Sequence, residues 1–393
     1  MTNDPSPRRY LSAFTLCLIA GILLVSAWNA FVDPFDIYNA RTRHGFNHFK
    51  ARAAGSADRL VKAKQIARLR PEVLILGTSR ADWALEPSHP ALQTVSTNVY
   101  NAGLAGATMY EVFRYVQHAH AIQPLTLVVI GLDLEMFNAE EKRESFSEGR
   151  LAIRPDGTQN RSHRWTDRIS SLFSHDALEA NRETRDQSRR HRDVTREDLR
   201  SRGSEYREQA TPDERWRAYR VGVHQARANL GRLGDQWDII LDRMEHFDRL
   251  LSYVHREEIE LVLFISPYHL SHLEVIRLSD GWDTFEAWKR ELVTRNEAVA
   301  ALKNRRSFAL WDFSGYHELA TEPHPSPDDP HHVMTWYRES SHYRKITGDL
   351  ILDRILGRPI KFPTFGVELT GDNLEVILQV QRQFAAAFVE RNK

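Results

Sequence analysis

The chain has 393 residues, enough to bury a sizeable core and long for one ordinary domain. Lysine plus arginine and aspartate plus glutamate each number 53, so net charge argues against a nucleic-acid partner and against bulk attraction to anionic lipid. The single cysteine, Cys17, excludes a disulfide scaffold and a cysteine-built metal site.

Residues 1–10 are polar and carry Arg8 and Arg9; residues 11–32 are almost wholly apolar. About 20 apolar residues cross a bilayer as a helix, and Trp28 near the far end suits the interface. Val25-Ser26-Ala27 would serve as a signal-peptide cleavage site, but the apolar character runs on to Phe31 and Val32, which favours an uncleaved anchor. Arg8 and Arg9 favour a cytoplasmic N-terminus although Arg41, Arg43, Lys50 and Arg52 lie on the other flank, because long domains translocate largely regardless of such charges. The main domain is therefore expected outside the cytoplasm, tethered to the membrane.

Residues 33–70 read as a linker ending in a basic helix-like run, Leu60–Leu69. An alternating βα region follows over 71–356. Strand-like runs are Val73–Leu76, Val99–Asn101, Leu127–Leu132, Glu260–Ile265 and Phe308–Asp312, with helical patterns at Tyr110–Ala121, Ile239–His255 and Phe285–Lys303. Continuous apolar runs between turn residues suit strands buried on both faces, so the expected class is α/β with a mainly parallel sheet. Residues 138–236 are charged and poor in apolar residues, and read as inserted, exposed helices. The run Ser188-Arg189-Arg190-His191-Arg192 resembles a polyanion patch, but Asp186, Asp193 and Glu197 interleave with it, as on a solvated helical face. Thr321–His332 is a proline-rich loop. Its histidines, Asp328 and Asp329 lack a helical i,i+4 pair, so neither a metal nor another cofactor is expected. A tail with a helix, 357–393, closes the chain.

Two short stretches carry chemistry. Val73-Leu74-Ile75-Leu76-Gly77-Thr78-Ser79-Arg80 is an apolar strand entering a small-residue turn with a serine at its tip; Glu339-Ser340-Ser341-His342 sets an acid three residues before a histidine. A serine hydroxyl needs a neutral imidazole to take its proton and an acid to hold the ring. Reactive groups of open α/β sheets gather at the carboxyl ends of strands. Ser79 as nucleophile, His342 as base and Glu339 as orienting acid satisfy both requirements. Ser266-Pro267-Tyr268-His269 follows a later strand, so His269 and His272 are expected at the same rim, as substrate contacts or as ordinary loop histidines. Arg80 either binds an anionic sugar or pairs with an acid such as Asp82. Trp83, Trp282, Trp288, Trp311 and Trp336 are sugar-stacking faces or, more commonly, packing residues.

Gly77-Thr78-Ser79-Arg80 resembles the first block of the SGNH (GDSL-like) hydrolase superfamily, and Asn101-Ala102-Gly103-Leu104-Ala105-Gly106 its second. Ile130-Gly131-Leu132-Asp133 resembles the third block by position, and Glu339-Ser340-Ser341-His342 the fifth. The resemblance covers roughly residues 70–137 and 255–356 and implies a three-layer sandwich. It also implies an oxyanion hole from the N–H groups of Ser79 and Gly103, with Gly106 as the alternative to Gly103. Asp133 stands where the family carries an oxyanion-hole asparagine; a carboxylate there repels an oxyanion, so Asn101 or water is expected to stand in. Glu339 replaces the family's aspartate. The Gly-Thr-Ser form and the apolar N-terminus resemble the membrane-anchored extracytoplasmic branch that esterifies or de-esterifies cell-envelope polymers. The implied function is a serine esterase or O-acyltransferase in the bacterial inner membrane with a periplasmic domain. The implied partners are an acylated polysaccharide and a membrane acyltransferase. Arg80, Asp133 and His269 are then the substrate-binding candidates. The competing expectation, drawn from Asp133 and the charged insertion, is a non-catalytic anchored scaffold or carbohydrate-binding subunit.

Overall fold

A computed structural model describes residues 7–50, 57–138, 141–190, 212–230, 237–326, 328–329 and 331–391. The chain clusters into two compact units, one of Met1–Gln65 with Ser147–Arg200 and one of Ile66–Phe146 with Ser201–Lys393.

The second unit is α/β. Its strands are β1 (Val73–Leu76), β2 (Val99–Asn101), β3 (Leu127–Leu132), β4 (Glu260–Ile265), β5 (Ala309–Asp312) and β6 (Val367–Glu368). They form one mixed sheet in the order β2-β1-β3-β4-β5-β6, parallel from β1 to β5, with β6 antiparallel at the edge. All of β1 and β3 is buried, as both-face burial of a parallel sheet requires.

Helices in chain order are α1 (Pro7–Val32), α2 (Asp58–Leu69), α3 (Ser79–Ala84), α4 (Pro90–Gln93), α5 (Met109–Ile122), α6 (Glu135–Asn138), α7 (Thr166–Leu172) and α8 (His175–Arg190). After them come α9 (Pro212–Leu230), α10 (Trp237–Arg256), α11 (Leu270–Leu278), α12 (Trp282–Leu302), α13 (Lys345–Ile355) and α14 (Leu374–Arg391). Val73, Ile75, Leu127, Val129, Val262 and Phe264 turn one sheet face toward residues of α3, α4 and α13, including Ala81, Leu92, Ile351 and Leu352. The alternate residues point the other way, and α10 packs against both α5 and α12. Thr108 and Glu111 close a capping box at the start of α5.

In the first unit, α1 is long and apolar enough to be a single membrane span or a signal sequence. Residues 33–50 are more than a linker. Asp33 accepts hydrogen bonds from the N–H groups of Ile37, Tyr38 and Ala40, and Lys50 reaches the Asp33 carbonyl at 2.6 Å and the Asp36 carboxylate at 3.2 Å. The charged insertion is divided: α7 and α8 belong to this unit, whereas α9 belongs to the α/β unit. The basic run beyond Arg190, with Asp193 and Glu197, lies outside the described residues.

Candidate active site

β1 ends at a turn that only glycine makes easily. Gly77 has φ +141°, and a Cβ there would lie 2.9 Å from the Gly131 carbonyl oxygen and 2.8 Å from the Ala81 Cβ. Thr78 follows as the N-cap of α3, its hydroxyl accepting from the Arg80 N–H. Ser79 is thus the first residue of α3, and its N–H has no acceptor among the described residues.

The other half of the site arrives from residues 263 positions away. α13 packs against α3, which carries the segment just before it to the turn at Ser79. Ser79 Oγ and His342 Nε2 are 2.8 Å apart. On the far side of the ring, Nδ1 hydrogen-bonds Glu339 Oε1. These partners assign the tautomer: Nδ1 carries the proton toward the carboxylate, and Nε2 offers its lone pair to the serine. Glu339 also accepts from the His342 N–H at 2.7 Å, the Ser341 N–H at 3.1 Å and the Ser340 hydroxyl at 3.1 Å. Burial alone would raise the Glu339 pKa, but the adjacent imidazole and these donors outweigh it and hold it at about 2. Trp83, one turn after Ser79 on α3, stacks on the His342 ring at 4.1 Å between centroids and 19° between planes. Arg338 lies over the other ring system of this stack, 5.1 Å from the Trp83 centroid.

Arg80 and Asp133 occupy an inner position. The Arg80 guanidinium is buried, 3.3 Å from Asp133 Oδ1 and 2.9 Å from Glu135 Oε1, and lies 4.8 Å from the Tyr268 ring centroid. Its Nε donates to the Ser341 carbonyl at 2.9 Å. Asp133 is fully buried and accepts from the Thr78 hydroxyl. Both side chains are thus engaged within the protein, and the pairing of Arg80 with Asp82 gives way to Asp133 and Glu135. The reason is register: Leu76 pairs with Ile130 in adjacent parallel strands, so the turns that follow β1 and β3 meet.

Two further expectations are revised. The Asn101 amide donates to the carbonyls of Ala81 and Leu85, at 2.9 and 2.8 Å, and its oxygen accepts the Gly103 N–H at 2.9 Å. Asn101 and Gly103 thus brace the C-terminal end of α3 rather than offering donors to an oxyanion. Gly106 is exposed, and its N–H has no acceptor among the described residues. His269 is fully buried as the N-cap of α11, accepting the Ser271 N–H at Nδ1 and hydrogen-bonding the Glu322 carbonyl through Nε2 at 2.9 Å. Desolvation, only partly offset by that carbonyl, pushes its pKa down to about 4. His272 is buried and stacked on Tyr268. Trp288 is core, and Trp282 donates to Glu286.

Several contributors carried no recognisable motif. Glu322, in the proline-rich loop, accepts the N–H groups of Thr335, Trp336 and Tyr337 at 2.6, 2.8 and 2.8 Å, and so holds the approach to the Glu339–His342 turn. Gly222, in the middle of α9, lies so close to the acid that a Cβ there would stand 2.0 Å from Glu339 Oε2. A helix-interior glycine in a charged segment is the only sequence signal it offered.

No protein-family model matches the chain, and no curated protein matches it significantly.

Proposed function

We propose that this protein is a membrane-anchored serine esterase or O-acyltransferase of SGNH type, acting on an acylated cell-envelope or exopolysaccharide substrate with its main domain outside the cytoplasm. The observation that carries the reading is the 2.8 Å contact of Ser79 Oγ with His342 Nε2, backed by Glu339 on the opposite ring nitrogen. Ser79 Oγ attacks the ester carbonyl carbon while its proton passes to Nε2. The carbonyl electrons collect on oxygen, where we assign as donors the N–H groups of Ser79 and Gly106, both without an acceptor among the described residues; each such donor contributes about 3 kcal/mol. The imidazolium, paired with Glu339 and stacked on Trp83, returns the proton to the departing alkoxide as the ester C–O bond breaks. Water or a sugar hydroxyl then gives its proton to His342 and attacks the acyl-Ser79. Breakdown restores the serine and releases an acid or a new ester.

The second reading, a non-catalytic anchored scaffold or carbohydrate-binding subunit, draws on the mutual satisfaction of Asn101 and Gly103 and on the placement of Asp133. The two are separated by fluorophosphonate labelling of the full chain in detergent. Covalent labelling that is lost in both Ser79→Ala and His342→Ala supports the enzyme; a folded wild type that takes no label supports the scaffold.

A further inference from the structure

The first unit carries an apolar stripe at the end of the membrane-length helix. Trp165, Ile169 and Phe173 recur every four residues along α7 and its caps, which places them on one helix face. They are 60, 56 and 59 % exposed. The opposite face is polar and buried: Asp167 pairs with Lys64 at 2.8 Å and Arg150 at 3.2 Å, and Ser171 meets the Tyr38 hydroxyl. α7 therefore turns Asp167 inward and its large apolar side chains outward, with Arg168 exposed at the edge of the stripe, 5.9 Å from the Trp165 ring centroid.

What covers the stripe is indicated by where α7 is fastened. Asn29, on the last turn of α1, donates from Nδ2 to the carbonyls of Ser171 and Leu172, at 3.3 and 2.8 Å, and its oxygen accepts from Asn181 on α8 at 2.7 Å. The unsatisfied carbonyls at the C-terminus of α7 thus end on a buried polar side chain in the last turn of an apolar helix. Around that turn stand features of a membrane–water boundary. Trp28 and Phe31 project from α1, Arg185 lies 5.4 Å from the Trp28 ring, and Arg43 lies 4.5 Å from the Phe31 ring. Arg161, Arg164 and Arg168 flank the stripe, exposed and without an ion pair among the described residues. An apolar face beside arginines fits an anionic phospholipid surface.

We infer that α7 is an interfacial helix that inserts Trp165, Ile169 and Phe173 into the bilayer beside α1, giving the first unit a second membrane contact in addition to the span. The inference rests on the reading of α1 as a span. It does not depend on the chemistry of Ser79. An amphipathic helix lying in the interface buries its apolar face at the headgroup–acyl boundary, so α7 would fix the rotation of the unit about α1 as well as its height.

The test uses the full chain in bilayer nanodiscs of phosphatidylcholine and phosphatidylglycerol. A nitroxide is placed at Ile169→Cys or Phe173→Cys in a Cys17→Ser background. Asp156→Cys, in an exposed turn of the same unit, is the aqueous control, and a label on native Cys17 reports on α1. The expected result is several-fold greater oxygen collision and several-fold lower nickel-chelate collision at 169 and 173 than at 156. Labels at 169 and 173 that meet the chelate as freely as 156, while Cys17 is in lipid, overturn the inference alone. Shielding from both reagents means that protein covers the stripe, and overturns it too. A water-exposed Cys17 removes the span, and the inference with it.

Discussion

Arg80 Nε donates to the Ser341 carbonyl at 2.9 Å, so the residue after Ser79 holds the residue before His342. The same guanidinium is held from behind by Asp133 and Glu135. Asp133 is one of the two carboxylates that neutralise this strut. Lysine keeps the charge but lacks the planar fork that reaches three partners. Arg80→Lys should therefore fold and retain the carboxylate pairing, while the Ser79–His342 alignment loosens. Fluorophosphonate labelling should slow by roughly 10²-fold, the scale of a misplacement of about 1 Å. A labelling rate equal to wild type would show that the strut does not position the base.

Glu339→Gln tests the tautomer. Both carboxylate oxygens receive donors: Oε1 from the His342 N–H and Nδ1, Oε2 from the Ser341 N–H and the Ser340 hydroxyl. A glutamine must point its NH₂ at one of these sets. Facing Ser341 it opposes another donor; facing His342 it selects the tautomer with no lone pair at Nδ1's partner nitrogen for Ser79. Labelling or turnover should fall by roughly 10³ to 10⁴-fold, with little loss of melting temperature. Near-wild-type turnover would remove Glu339 from the catalytic set.

Gly222→Ala sets two effects against each other. Alanine favours a helix over glycine by about 1 kcal/mol, so α9 by itself would gain. The added Cβ, however, would fall 2.0 Å from Glu339 Oε2 and 2.7 Å from Ser340 Oγ. Either α9 retreats and admits water to the acid, or Glu339 moves off His342. Labelling at Ser79 should drop roughly ten-fold or more. A variant that is more stable and equally reactive would mean that α9 is not held against the acid.

The parts legible in the sequence were those written in local pattern. β1 and β3, and β4 after its exposed Glu260, are apolar runs buried on both faces. Gly77 and Ser79 mark a strand-ending turn, and Glu339 and His342 are close enough in sequence to meet. What remained hidden depends on register and packing. Asp82 is nearer Arg80 in sequence than Asp133 is, but the pairing of β1 with β3 brings Asp133 to it. β6 is a two-residue exposed strand with no apolar run to announce it. The charged insertion read as uniformly solvated because composition cannot tell that Asp167 turns inward to Lys64 and Arg150 while Trp165 turns out. Nor does a histidine after a strand reveal whether it faces substrate or, as His269 does, caps the next helix.

That buried cap has a consequence for acid stability. His269 is neutral in the folded chain, with Nδ1 accepting from Ser271 and Nε2–H directed at the Glu322 carbonyl. Protonation would cost its N-cap acceptor as well as desolvation, and its folded pKa is lowered to about 4. His317 is held at about 4 as well, by burial against which the Phe313 carbonyl and Asp312 only partly act. Unfolded, each histidine returns to its ordinary value near ~6.5. Between those values the unfolded chain binds the proton and the folded chain does not, so stability rises with pH across the window. Stability should be complete above about pH 6.5 and fall as pH is lowered toward 4, by about 3 kcal/mol for each histidine. His269→Asn keeps a capping acceptor but cannot titrate in this range. Denaturant midpoints followed from pH 7 to pH 4 should show a shallower acid slope in this variant than in wild type, with the His317 share remaining. Identical slopes would mean that His269 is accessible to protons in the folded state and does not act as a buried, neutral cap.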